Sequence, residues 1–354
     1  MGSGGTGLAS VQSSKHRHSK VLWQRRVANA VDSKVLALAG GVLLSTRKAD
    51  QCSLRLLHVR DGSQQWQASF VASDTLSVAR TGQTVVCVAP EALTLLHVGQ
   101  RAVVHKVGVS QGRSFQKAIC AKKGYIHAVS SDAKTHFISA IDARTGRLLW
   151  ENELPESVSG KILLFTAGDH LVCVNQGPHQ ELGVDAYHRH SGQRTWSRRN
   201  LQGSVLDTWS TCNLVDLVLS RGGICGLNGA DGTDRIQRLE ALSYADARIA
   251  GQSFLAVTET SDVRELLSLD TLSGELRGKL PTDITRVIGA HASEVLTEHP
   301  DGYPEMFSLP KLEPVELAEA KAIGKTHDVV WARDVAYLVA KDRHTITALD
   351  LRHA

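Results

Sequence analysis

Three segments of the chain end alike, and that recurrence limits the possible folds more than any other feature. Residues 53–66 (SLRLLHVRDGSQQW), 137–150 (FISAIDARTGRLLW) and 183–196 (GVDAYHRHSGQRTW) each run from an apolar stretch through a polar turn to a glycine, with a tryptophan four residues later. Weaker copies follow. Cys225–Gly232 keeps the glycine, with Ile236 at the tryptophan position, and Leu266–Gly274 keeps strand, aspartate and glycine, with Gly278 there. Leu93–Val98 followed by Gly99 and Gln100, and Met306–Leu309 followed by Pro310 and Lys311, are degenerate copies. The anchors Gly62, Gly146, Gly192, Gly232 and Gly274 are 84, 46, 40 and 42 residues apart, and the copy near residue 100 divides the first interval. A unit repeated at this period buries its apolar face only against its neighbours.

The physics of the unit identifies its parts. Asp-x-x-Thr-Gly is a hairpin connection in which glycine takes the left-handed position without a Cβ penalty. An Asp or Ser before it caps the free N–H groups of the turn, which makes Asp142, Asp270 and Asp350 turn-cappers and Asn228–Asp231 a turn, not a calcium loop. The tryptophan then belongs on the outer strand of a small sheet, where a large flat apolar group contacts the next sheet.

The rest of the chain agrees. Segments such as Lys34–Gly40, Val42–Thr46, Thr84–Ala89, His170–Asn175, Leu214–Ser220, Ser253–Thr258 and Val335–Ala340 are short, apolar and bounded by Gly, Asp, Asn or Ser, as strands are. Val315–Ala322 is the best helix candidate. Strands at this spacing predict an all-β fold, a single β-propeller of four-stranded blades spanning residues 21–354. Eight blades fit the corners, with seven as the alternative. Thr345–Asp350 stops before its outer strand, and Val21–Val27 carries the missing tryptophan, Trp23, so the N-terminal strand 21–27 is expected to close the last blade.

The turn–Gly–x–x–x–Trp ending resembles the repeat of the pyrroloquinoline-quinone-like (quinoprotein alcohol dehydrogenase-like) β-propellers. That superfamily holds quinone-dependent dehydrogenases and also non-enzymatic members such as the outer-membrane barrel-assembly lipoprotein. The enzymes' site carries an adjacent-cysteine disulfide, a tryptophan under the quinone and Glu, Asn and Asp around calcium. This sequence has no Cys-Cys pair, so the resemblance implies a non-catalytic member with no quinone cofactor and no calcium.

Other chemistry is sparse. Cys52, Cys87, Cys120, Cys173, Cys212 and Cys225 form no CxxC pair, and most lie in apolar runs, as small buried hydrophobes do. His188 and His190 are spaced to share a strand face and hold a metal, but solvated histidines beside a turn are the favoured reading. There is no Gly-x-Ser-x-Gly. No catalytic, cofactor-binding or metal-ligating residue is assigned. Residues 1–20 read as a Gly/Ser-rich and basic disordered tail with no secretory signal, which leads to an expected cytoplasmic location. Lys15, Arg17, Lys20, Arg25 and Arg26 form the densest basic cluster, read as solvated, with an acidic partner or membrane surface as the alternative. The net charge of +4 is modest and does not mark a nucleic-acid binder. The expected role is a non-enzymatic scaffold with an unknown protein partner on a loop-rich face. An envelope assembly factor and an enzyme with a central-channel site are the alternatives.

Overall fold

The computed structural model describes residues 18–351 except 28–30, 39, 49–50, 72–76, 101, 156–160, 178–180, 203–204, 211–213, 220–222, 235–243, 260–263, 272, 292, 318–322 and 333. The all-β expectation holds. An N-terminal strand β1 (His18–Arg26) precedes a series of meanders. The first is β2 (Val31–Leu38), β3 (Gly41–Lys48), β4 (Gln51–His58) and β5 (Gln64–Val71). The second is β6 (Ser77–Thr81), β7 (Thr84–Ala89), β8 (Ala92–His97) and β9 (Ala102–Gly108). Then come β10 (Ser114–Lys122), β11 (Tyr125–Ser131), β12 (His136–Asp142) and β13 (Leu148–Glu153). These precede β14 (Lys161–Ala167), β15 (His170–Gln176), β16 (Glu181–His188) and β17 (Arg194–Gln202). A three-stranded sheet holds β18 (Val205–Ser210), β19 (Leu214–Leu219) and β20 (Gly223–Asn228). The next sheet is β21 (Tyr244–Ala250), β22 (Ser253–Glu259), β23 (Arg264–Asp270) and β24 (Leu276–Pro281). The last strands are β25 (Arg286–Ala290), β26 (Glu294–Glu298), β27 (Pro304–Ser308), β28 (Glu313–Leu317), β29 (Thr326–Ala332), β30 (Val335–Ala340) and β31 (Thr345–Asp350).

Five sheets have four strands paired in chain order, and one has eight, in the order β25-β26-β27-β28-β1-β31-β30-β29. The large sheet is two antiparallel meanders joined by a short parallel pairing of His18 with Glu316 and Ser19 with Leu317. Central strands are apolar along their length because sheets cover both of their faces: residues 85–89 of β7 and 171–175 of β15 are all buried. Outer strands alternate instead; β13 and β24 share one pattern of exposure.

The sheets form a closed circle. The first strands β2, β6, β10, β14, β18, β21, β25 and β29 each contact the next, and β29 contacts β2. The core lies between sheets. One cluster unites Trp23, Tyr337, Val339, Ile346 and Ala348 with Val35, Val42, Leu44 and Leu57, joining the two ends of the chain. β1 closes the last meander antiparallel to β31, with Trp23 opposite Ala348 and Arg26 opposite Thr345. It begins at His18, three residues before the expected Val21, because Ser19 and Lys20 also find partners in Leu317 and Asp350.

The helix expectation over Val315–Ala322 is corrected. Val315 lies in β28, opposite Met306, and buries its side chain in the adjoining core, so strand pairing overrides local periodicity; residues 318–322 lie outside the described residues. Ile236 also lies outside them, as does Cys212.

Three tryptophans latch their own sheet to the corner of the following one. Trp23 Nε1 donates to Val59 O at 2.8 Å, Trp150 Nε1 to Arg189 O at 2.9 Å and Trp196 Nε1 to Gly229 O at 2.9 Å. In each case the ring lies over the corner glycine. A Cβ on Gly62 would stand 2.7 Å from Trp23, and one on Gly192 2.7 Å from Trp150. These glycines also take φ of 64° and 74°, so the corner needs glycine for its backbone and for its contact. Corner N–H groups close the turn, as in Gly146 N to Asp142 O at 2.9 Å, while Asp142 Oδ1 accepts from the N–H groups of Arg144 and Thr145. Asp270 likewise accepts from Ser273 N, and Asp231 from Thr233 N.

The degenerate copies keep the geometry with other residues. His105 takes the tryptophan position opposite Leu95, packs on Gly146 and approaches Arg144 O at 2.9 Å through Nε2. Leu312 takes the corner-glycine position at φ 61° and donates to Ser308 O. Gly278, at the tryptophan position, lets the corner at Pro310 and Lys311 approach so closely that a Cβ there would stand 2.7 Å from Pro310 O.

Candidate functional site

The densest group of polar and ionisable side chains lies where the β10–β13 sheet meets the corner between β16 and β17. The β10–β11 hairpin turns at Lys123 and Gly124, both with positive φ, and sends Tyr125 and His127 toward that corner. Trp150 on β13 fixes the corner by its bond to Arg189 O. Arg189 stands where the other corners have Val59, Ala143, Gly229 or Thr271. Its side chain is folded in, only 4% exposed, with Nη2 3.1 Å from Asp169 Oδ1 and the guanidinium 5.4 Å from the Tyr125 ring centre. Its Nε and Nη1 have no hydrogen-bond partner.

His190 shares a 2.8 Å hydrogen bond between Nδ1 and the Tyr125 hydroxyl, and its ring meets Tyr125 edge-on at 4.9 Å. His188 bonds Ser191 and lies 5.6 Å from His190 between ring centres, with His170 6.3 Å beyond. His127 is fully buried between Tyr125 and Trp150. Neither of its ring nitrogens completes a hydrogen bond. Burial, with the charges of Arg189 and His190 acting in the same direction, lowers its pKa to about 4. Burial lowers His170 as well, helped by His188. The imidazole of His127 is therefore neutral at pH 7 and serves as a flat packing group.

His188 is half-buried and His190 exposed beside the turn, as solvated histidines are, and His190 in addition reaches Tyr125 of the neighbouring sheet. Among the described residues no three His, Cys, Asp or Glu side chains stand together to hold an ion. Cys52, Cys87, Cys120, Cys173 and Cys225 sit in different strands and form no disulfide with one another. Burial pushes the Cys173 thiol up to about 12, and those of Cys87 and Cys120 are also raised, so they pack as neutral groups. The sequence reading missed Arg189 and His105. The signal for Arg189 was available, since the aligned corners carry only small or apolar residues there. His105 had none, because imidazole in place of indole breaks the pattern.

At the opposite end of the circle, a cleft of about 530 Å³ lies between the β21–β24 and β25–β28 meanders, lined by Arg264, Thr282, Asp283, His299, Glu305 and Phe307. No helix among the described residues is long and apolar enough to cross a membrane.

The family model described as outer membrane protein assembly factor BamB matches residues 112–250, which include the histidine and arginine junction. The chain folds as a β-propeller. Solved structures share the fold along nearly the whole chain. The computationally designed protein Ika8 superposes with a TM-score of 0.64 at 13% identity, over 95% of this chain and 100% of its own. BamB from Moraxella catarrhalis gives 0.60 at 13% identity, over 94% and 99%. A quinohemoprotein alcohol dehydrogenase from Pseudomonas putida HK5 gives 0.61 at 9% identity, over 95% and 76%. No curated protein matches the sequence.

Proposed function

We propose that this propeller is an eight-bladed, non-enzymatic scaffold that binds a partner protein. The circle of inner strands from β2 through β29 and back to β2 supports the blade count, with β18–β20 as one blade and β29–β31 plus β1 as the last. The ionisable groups that stand together lie at a blade junction: His190 bonds Tyr125 across it, and Arg189 pairs with Asp169 of its own blade.

The observation that carries the interaction reading is on β13. Leu148 and Leu149, 54% and 44% exposed, stand side by side on an outer strand beside that junction, and Leu276 repeats the exposure on β24. Adjacent exposed leucines on the edge of a rigid sheet favour a partner that covers them. Replacing both Leu148 and Leu149 by Ser should leave the melting midpoint unchanged and abolish a stoichiometric cross-link to the native partner. Unchanged cross-linking would remove the leucines from the interface. Stoichiometric quinone binding with alcohol oxidation in calcium buffer would overturn the non-enzymatic reading.

A second reading, an assembly factor of the BamB type, is favoured by the family-model match over residues 112–250, which contain Leu148 and Leu149. A partner identified as an envelope assembly component would select it over a general scaffold.

A further inference from the structure

The end of the closing blade opposite the glycine corners gathers like charges. The loop from Lys341 to His344 joins β30 to β31, and Val27 N donates to His344 O at 2.7 Å, which brings the end of β1 beside that loop. Arg26 lies opposite Thr345 and Arg25 opposite Ile346, so they leave on opposite faces of the outer strand. On the inner strand, a bulge between Thr326 and Asp328 turns out His327, whose Nε2 lies 3.2 Å from Arg343 Nη2. Arg25, Arg26, Lys325, His327, Lys341 and Arg343 are all exposed.

The carboxylates nearby are engaged elsewhere. Asp342 accepts from the N–H groups of His344 and Thr345. Asp328 accepts from Val329 N. Glu298 is buried and bound by Arg286 and Lys341; burial opposes its charge, but the two cations outweigh burial and hold its carboxyl below the usual range. Among the described residues, Arg25, Arg26, Lys325 and Arg343 are paired with no carboxylate.

We propose that this stripe docks an extended acidic segment of the partner protein. The stripe crosses the four strands of one blade, about 14 Å at the usual strand spacing, which about four to five extended residues span. Guanidinium groups match carboxylates in pairs of hydrogen bonds. An anionic membrane would need a broad basic plane over several blades. The adjoining blade end on the β25–β28 side instead exposes Asp283 and Asp301, which bound the basic surface on that side. The proposal deepens the scaffold reading and rests on it for the class of partner.

The test uses the full chain and a fluorescein-labelled polyglutamate peptide, read by anisotropy at low and physiological salt. The pair Arg26→Glu with Arg343→Glu should weaken binding by about tenfold or more, while Lys122→Glu with Lys123→Glu, the same charge change at the other end, should not. Added salt should weaken the parent's binding. Equal melting midpoints for both variants and the parent establish that each is folded. No saturable binding at low salt overturns the proposal, as does equal loss in both variants, which would make net charge the cause. Binding to phosphatidylserine vesicles that the peptide does not displace overturns it in favour of a membrane. Failure here, with the cross-link lost in the Leu148 and Leu149 variant, removes the stripe and leaves the scaffold reading standing.

Discussion

Trp23 and Trp66 hold the same place in two blades but have different partners, which isolates the worth of the latch bond. Both are well buried, at 8% and 7% exposure. Trp23 Nε1 donates to Val59 O, whereas Trp66 Nε1 has no partner, because the corner between His97 and Ala102 is one residue shorter than that between His58 and Gln64. Replacing either by Phe removes a similar apolar area, about 1 kcal/mol at about 25 cal/mol per Å². Trp23→Phe also breaks a hydrogen bond and strands a partly buried carbonyl, a further cost of about 0.5–1.5 kcal/mol. Trp66→Phe removes an unsatisfied N–H, which offsets about 1 kcal/mol of its packing loss. Trp23→Phe should therefore cost about 1–3 kcal/mol more than Trp66→Phe. Urea titrations followed by far-ultraviolet circular dichroism read the difference without relying on the altered fluorophore. If Trp66→Phe is as costly as Trp23→Phe, with equal denaturant slopes, the latch account is refuted.

Three further outcomes follow from named groups. The folded His127 pKa, about 4, lies below the ordinary 6.5, so the unfolded chain binds more protons between those values. Stability is full above pH 6.5 and falls by up to about 3 kcal/mol as pH drops to 4, and His127→Leu should remove that component from a series of titrations across pH. Gly192→Ala meets both a left-handed backbone and the Trp150 ring, whereas Gly82→Ala at φ 56° has nothing within 4 Å of the new Cβ. Gly82→Ala should cost about 1–2 kcal/mol and Gly192→Ala distinctly more, by thermal melts. In calorimetry with calcium present, pyrroloquinoline quinone should give no stoichiometric binding.

The fold was readable because its unit is short and carries a rare residue at a fixed offset. Turn chemistry at Asp142 and Gly146 is local, and local rules predict it well. The strand carrying Trp23 could be assigned to the far terminus because Thr345–Asp350 ends without its own outer strand. Where the unit is degenerate, sequence alone was insufficient. Leu312 in a left-handed corner and His105 under a neighbouring corner are choices that only the assembled circle enforces. The junction around Arg189 was legible only in part, since a buried arginine takes its surroundings from two different blades. Val315 misled for the opposite reason: its helical spacing is local, and its pairing with Met306 is not.

Closure of the circle by β1 places Trp23 on Gly62 and Arg26 beside the Lys341–His344 loop. Melting midpoints of two truncations test it directly. Deleting residues 1–17 should leave the midpoint where it is. Deleting residues 1–26 removes Trp23 and every pairing of β1 with β31, and should cost several kcal/mol, of the order of about 3–5 kcal/mol for the aromatic alone, or prevent folding. Equal midpoints for the two truncated chains would contradict closure by this strand.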